Sequence, residues 1–207
     1  MNTHNLVRLL GYSDFYLLLC RIKNIQNRIM NILNTYQKQR LKEVLLYILD
    51  RTGGISYYKL MKILFCAERH NLILWGDQIT DLKFEAREHG PVPVSLYNQI
   101  CCQKNNRTSH ISDIINLVDE YHVDALRKPN MDYISASDVT SLDYGIDEIA
   151  GMDYAEIERY LHDAVYDRLS SSENRFYTQK DIAESGKASK EALERIAYQN
   201  SLSRALS

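Results

Sequence analysis

The chain has 207 residues, 45% of them hydrophobic and 25% charged, with a formal net charge of −2. That length and balance suit one globular domain with appendages and a real core. With only 3 Pro and 8 Gly the chain is neither low-complexity nor a turn-rich sandwich, and its near-neutral charge offers nucleic acid or an anionic membrane no global attraction.

Residues 1–29 mix apolar and basic residues without a clean cap, whereas a more regular region opens at Met30. They read either as an extension upstream of a natural start at Met30 or as an extra helix packed on the domain. The run Leu17-Leu18-Leu19-Cys20 is too short for an export signal, is interrupted upstream by Asp14, and places a large residue before any cleavage point. No stretch approaches the ~20 apolar residues of a membrane span. Cys20, Cys66, Cys101 and Cys102 form no spaced framework, which fits reduced thiols in a cytosolic protein.

Leu41, Val44, Leu45 and Ile48 recur at i, i+3, i+4, i+7, the stripe of an amphipathic helix, and Gly53-Gly54 ends it. Ser56 offers an N-cap to a helix over roughly 57–73 that is apolar over most of its circumference and therefore central. Its polar exceptions Lys59, Lys62 and Arg69 fall on one narrow stripe, with Glu68 opposite. The bland reading of that stripe is a solvated edge. The functional one is a partner-binding row.

Leu82, Phe84 and Ala86 alternate with polar residues, the period of a half-buried strand. His89-Gly90-Pro91-Val92-Pro93 predicts a sharp turn and a helix start near Pro93. Ile114, Leu117, Val118 and Tyr121 predict a further helix, and Tyr133-Ile134 a short strand pairing with the earlier one. Capping pairs then open helices at Ser135–Asp138, Asp153–Glu156 and Thr178–Asp181, with Gly186 breaking the last before a final helix beyond Ser189. The fold class is mainly α: a compact multi-helix domain with a short two- or three-stranded β element. Residues 30–170 form its core and 171–207 a C-terminal helical extension.

No nucleophile–base pair, phosphate loop or metal spacing stands out, so the chain reads as a non-enzyme without cofactor or metal. Glu85, Glu88 and His89 cluster as a satisfied polar edge. Cys66 reads as an inert buried thiol and His162 as a structural histidine pairing with Glu158 one turn earlier. Residues 178–200 resemble part of a helix-turn-helix, but the turn is one residue short, and Glu191 and Glu194 would flank phosphates. The 15 Tyr, beside 4 Phe and 1 Trp, combine an apolar body with a polar tip and suit partner surfaces as well as packing.

The run Tyr58-Lys59-Leu60-Met61-Lys62-Ile63-Leu64-Phe65-Cys66-Ala67, then Phe84-Glu85-Ala86 and Gly90-Pro91-Val92, resembles the Panacea domain family of SocA-like antitoxins and phage-associated proteins. Ile134–Asp138, Leu142-Asp143 and Glu156-Ile157 through His162 are similar to the family's second half. Arg87-Glu88-His89 departs from the aromatic or basic run common before its Gly-Pro. The resemblance implies an antitoxin that binds and neutralises a partner toxin, a cognate protein encoded next to it. A protease-adaptor role, known for one relative, comes with it. The candidate partner-binding residues are then Lys59, Lys62, Arg69, His89, Gly90, Pro91 and Val92. The alternative is a helix-turn-helix transcriptional regulator, under which alone DNA would be a partner.

Overall fold

The computed structural model describes residues 34–105 and 107–206. The chain divides into two units, Met1–Gln39 and Arg40–Ser207. In the first, residues 34–39 are helical; the extension expected over 1–29 and the start at Met30 lie outside the described residues. The second unit carries everything below.

It opens with helix α1, residues 40–52, whose Val44, Leu45, Ile48 and Leu49 are fully buried. Gly53 and Gly54 stop the helix with positive φ of 65° and 86°, a region open to glycine without a Cβ penalty. Strand β1 (Ile55–Ser56) leads into α2 (Tyr57–Trp75), where Ser56 accepts from Lys59 N as N-cap. As its apolar circumference predicts, α2 is central, and helix α4 (Ala136–Ile149) packs along it. The approach is close because Gly145 has no side chain: a Cβ there would stand 2.5 Å from the carbonyl of Ile63.

Two small antiparallel sheets flank α2. One pairs β2 (Phe84–Arg87) with β3 (Gly90–Pro93), Glu85 opposite Val92. Phe84 and Ala86 turn into the core as their alternation predicts. Gly90–Pro93 is therefore a strand rather than the expected turn; the reversal lies at Glu88-His89, and the helix does follow at once as α3 (Val94–Lys104). The second sheet orders β1, β5 (His122–Ala125) and β4 (Ile115–Leu117). Here the structure corrects the helix expected around Ile114, Leu117, Val118 and Tyr121. Asp119 accepts from the backbone N–H groups of Tyr121 and His122, closing a hairpin that pairs Leu117 with Val123. The strand expected at Tyr133-Ile134 is instead a 3₁₀ turn (Met131–Tyr133) capped by Asn130.

The three predicted capping boxes all form, opening α4, α5 (Tyr154–Leu161) and α7 (Gln179–Ser185). Asp163 caps a separate helix, α6 (Ala164–Ser170), so Val165 belongs to a new element rather than continuing α5. Helix α8 (Lys190–Leu206) follows, and α7 and α8 both pack on α2. A single buried carboxylate fixes the segment after α2. Glu68 accepts from Ile79 N, Thr80 N and the Thr80 hydroxyl, the last at 2.5 Å. No helix among the described residues is long and apolar enough to cross a membrane.

Candidate functional site

The N-terminal half of α2, the β2–β3 turn, β3 and α5 enclose a cleft of about 700 Å³. Its walls are chiefly tyrosines: Tyr57 and Tyr58 from α2, Tyr97 from α3, Tyr121 before β5, and Tyr154 from α5. Capping geometry places two of these rings. Ser56 starts α2 so that Tyr58 falls in its first turn, and Asp153 starts α5 at Tyr154. The two rings meet at 5.0 Å between centroids, tilted by 55°.

Cations lie on the other rings. Arg87 stands over Tyr97 at 5.4 Å, and Lys104 lies 5.1 Å from Tyr57 and 5.6 Å from Tyr121. At the floor Lys62, 0% exposed, points its ammonium across the Tyr58 ring at 4.9 Å and donates to the carbonyl of Pro91 at 2.9 Å. Burial draws this lysine down to about 7. Burial and the nearby Glu158 charge push the Tyr58 phenol up to about 12, so it stays a neutral donor, reaching the carbonyl of His89 at 3.4 Å. His89 Nδ1 in turn meets Glu158 at 2.6 Å, clasping the turn to α5. The hydroxyl of Tyr166 lies within 3.2 Å of the carbonyls of both Arg87 and Glu88 and steadies the turn from behind.

The sequence-derived residues fall in different places. Lys62, His89 and Val92 line the cleft, while Gly90 and Pro91 are buried at its floor. The row Lys59, Lys62, Arg69 is not a solvent-facing stripe. Lys59 donates to the carbonyl of Ala150 at 2.8 Å beyond the end of α4, and Arg69, 5% exposed, bonds the Tyr160 hydroxyl at 2.5 Å. Their spacing is helical as expected, but α4, β3 and α5 cover each in turn. The pairing expected between His162 and Glu158 is also corrected, since Glu158 is taken by His89 and His162 stacks on Tyr166 at 3.9 Å. Cys66 is buried, and burial pushes its thiol up to about 11. Glu85 pairs with Arg87 at 2.7 Å.

The cleft tyrosines and Glu158 escape a linear reading because four separate segments contribute them. The one signal available is the excess of Tyr over Phe. At the other end of the domain, Thr178–Asp181 and Ser189 cap α7 and α8 as expected. Arg195 there bonds the carbonyl of Ile73 at 2.6 Å, and Lys190 lies 3.7 Å from Glu194.

Helices thus surround two small sheets and an aromatic cleft. Residues 60–166, just over half of the chain, match the family described as antitoxin SocA-like, Panacea domain, and the chain belongs to that family. No curated protein and no solved structure matches it.

Proposed function

We propose that the chain is an antitoxin that binds its cognate toxin protein in the tyrosine-lined cleft and blocks it by occupancy. What carries this reading is the position of the cleft: apart from Ser56, Tyr57 and Tyr58, every residue lining it lies within the segment that matches the antitoxin family. The chemistry also fits protein recognition. Rigid aromatic faces with polar tips bury large areas at low entropic cost, and such residues dominate the energetics of interfaces. Tyr154 and Tyr121 stand 52% and 54% exposed at the cleft, where a partner would reach them. The role is recognition rather than catalysis. If the bound toxin is handed to a protease, the cleft holds the cargo and another face meets the protease.

Co-expression tests this. A small reading frame encoded beside this chain, toxic when induced alone, should be neutralised by the wild-type chain and poorly by Tyr154→Ser at equal abundance and equal melting temperature. Rescue by both proteins alike would remove the cleft from the mechanism.

A further inference from the structure

We propose that the cleft floor receives a carboxylate side chain, Asp or Glu, carried on an extended segment of the toxin, with Lys62 as its counter-ion. This rests on the antitoxin reading above and names the chemistry of the partner.

The argument begins with hydrogen-bond capacity. An ammonium has three donors. Lys62 is 0% exposed, spends one donor on the Pro91 carbonyl, and makes no ion pair among the described residues. A buried charge so poorly matched is uncommon unless something pairs with it. A second polar atom at the same spot is also unsatisfied: His162 Nε2 is buried without a hydrogen-bond partner. Both atoms surround the bare α-carbon of Gly90, where an added Cβ would stand 3.1 Å from Lys62 Nζ and 3.8 Å from His162 Nε2. Glycine at that position lets the ammonium pack directly against the backbone, where a side chain would crowd it.

Charge complementarity gives the sign of the occupant. The carboxylate nearest the floor, Glu158, is held by His89 at 2.6 Å, and Glu85 by Arg87 at 2.7 Å. Lys62 and Lys104 face the cleft tyrosines with no carboxylate partner among the described residues. An acidic residue flanked by apolar ones would set its charge on Lys62 and its neighbours on the rings. The groups facing Lys62 are Tyr58 and Cys66 on α2, His89 on the turn, Glu158 on α5 and His162 just after it. Of these only Glu158 is a carboxylate, and His89 holds it at 2.6 Å. Arrival of a carboxylate therefore favours the protonated amine, and binding takes up a proton.

The test uses the full chain with ¹³C-labelled lysine ε-carbons, titrated by NMR. The probes are a blocked pentapeptide with Glu between leucines and its twin carrying Gln. The Lys62 resonance, assigned by its loss in Lys62→Met, should titrate near about pH 7 in the free chain. The Glu peptide should raise that midpoint by about one pH unit or more, a tenfold change in acidity, while the Gln twin leaves it in place. No movement with millimolar peptide, or the same movement with both, overturns the proposal, and neither result depends on a variant that folds. A chain that neutralises its toxin without a Glu-specific shift loses the carboxylate but keeps the antitoxin reading. A chain that shows the shift yet neutralises no neighbouring product loses the antitoxin reading, and with it the toxin as occupant.

Discussion

Lys62 Nζ and the carbonyl of Pro91 lie 2.9 Å apart, so one buried ammonium ties the central helix to β3 at the floor of the cleft. The bond has a structural and a functional side. It fixes the strand that shapes the cleft, and it holds an amine where solvent cannot stabilise its charge.

The first consequence is a pH dependence. Burial lowers Lys62 from 10.5 to about 7, so between these values the unfolded chain keeps a proton that the folded chain has released. Stability conferred by this site therefore rises with pH across that window, by at most about 1.4 kcal/mol per pH unit. Urea melts of wild type and Lys62→Met between about pH 7 and about pH 9 should show the wild type gaining on the variant. Parallel pH profiles would mean that Lys62 keeps an ordinary lysine's affinity for its proton.

Glu68 supplies a purely structural test. Its two carboxylate oxygens accept from Ile79 N, Thr80 N and the Thr80 hydroxyl. In Glu68→Gln one oxygen becomes an amide that can only donate, facing a donor. The expected loss is about 3 kcal/mol, roughly what a broken set of charge-assisted bonds in a buried site costs. A melting temperature within about 2 °C of wild type would contradict the geometry.

Gly90 combines φ of +91° with a crowded neighbour, the Lys62 ammonium 3.1 Å from any added Cβ. Gly90→Val should destabilise the fold by more than the ~1–3 kcal/mol typical of a non-glycine residue held in a rare conformation. Gly90→Ala should lose less, because its Cβ carries no branches to crowd the strand. Thermal melts of the pair give the order directly, and a valine variant as stable as wild type would refute it.

DNA binding through α7 and α8 should be negligible near physiological salt. Net charge is −2, Arg195 is turned back onto the end of α2, and Lys190 faces Glu194. Gel shifts on the upstream operator check this. Tight, sequence-selective retardation that Lys190→Glu abolishes would support the regulator instead.

Local chemistry made much of the fold legible. Capping boxes at Ser135, Asp153 and Thr178, the Gly53-Gly54 stop and the apolar circumference of α2 act within a few residues, so spacing alone exposes them. The hairpin at 115–125 did not yield to the same reasoning. Apolar residues at 114, 117, 118 and 121 fit a helical stripe, and only pairing with Ile55 and Ser56, some 65 residues away, decides for strand. The surroundings of the cation stripe were hidden for a related reason. Helical spacing put Lys59, Lys62 and Arg69 on one face, but which neighbour covers that face is a tertiary fact. The family resemblance reached the turn and the central helix, and the tyrosines became a site only when four segments converged.

Hydrogen–deuterium exchange on the chain alone and with the toxin proposed as its partner is the most direct measurement of where that partner sits. Strong new protection is expected over residues 57–62, 88–92 and 154–158, with residues 178–200 unchanged and Tyr154→Ser weakening the complex by tenfold or more, about 1.4 kcal/mol. Protection confined to α7 and α8, with the cleft exchanging as freely as before, would contradict the account.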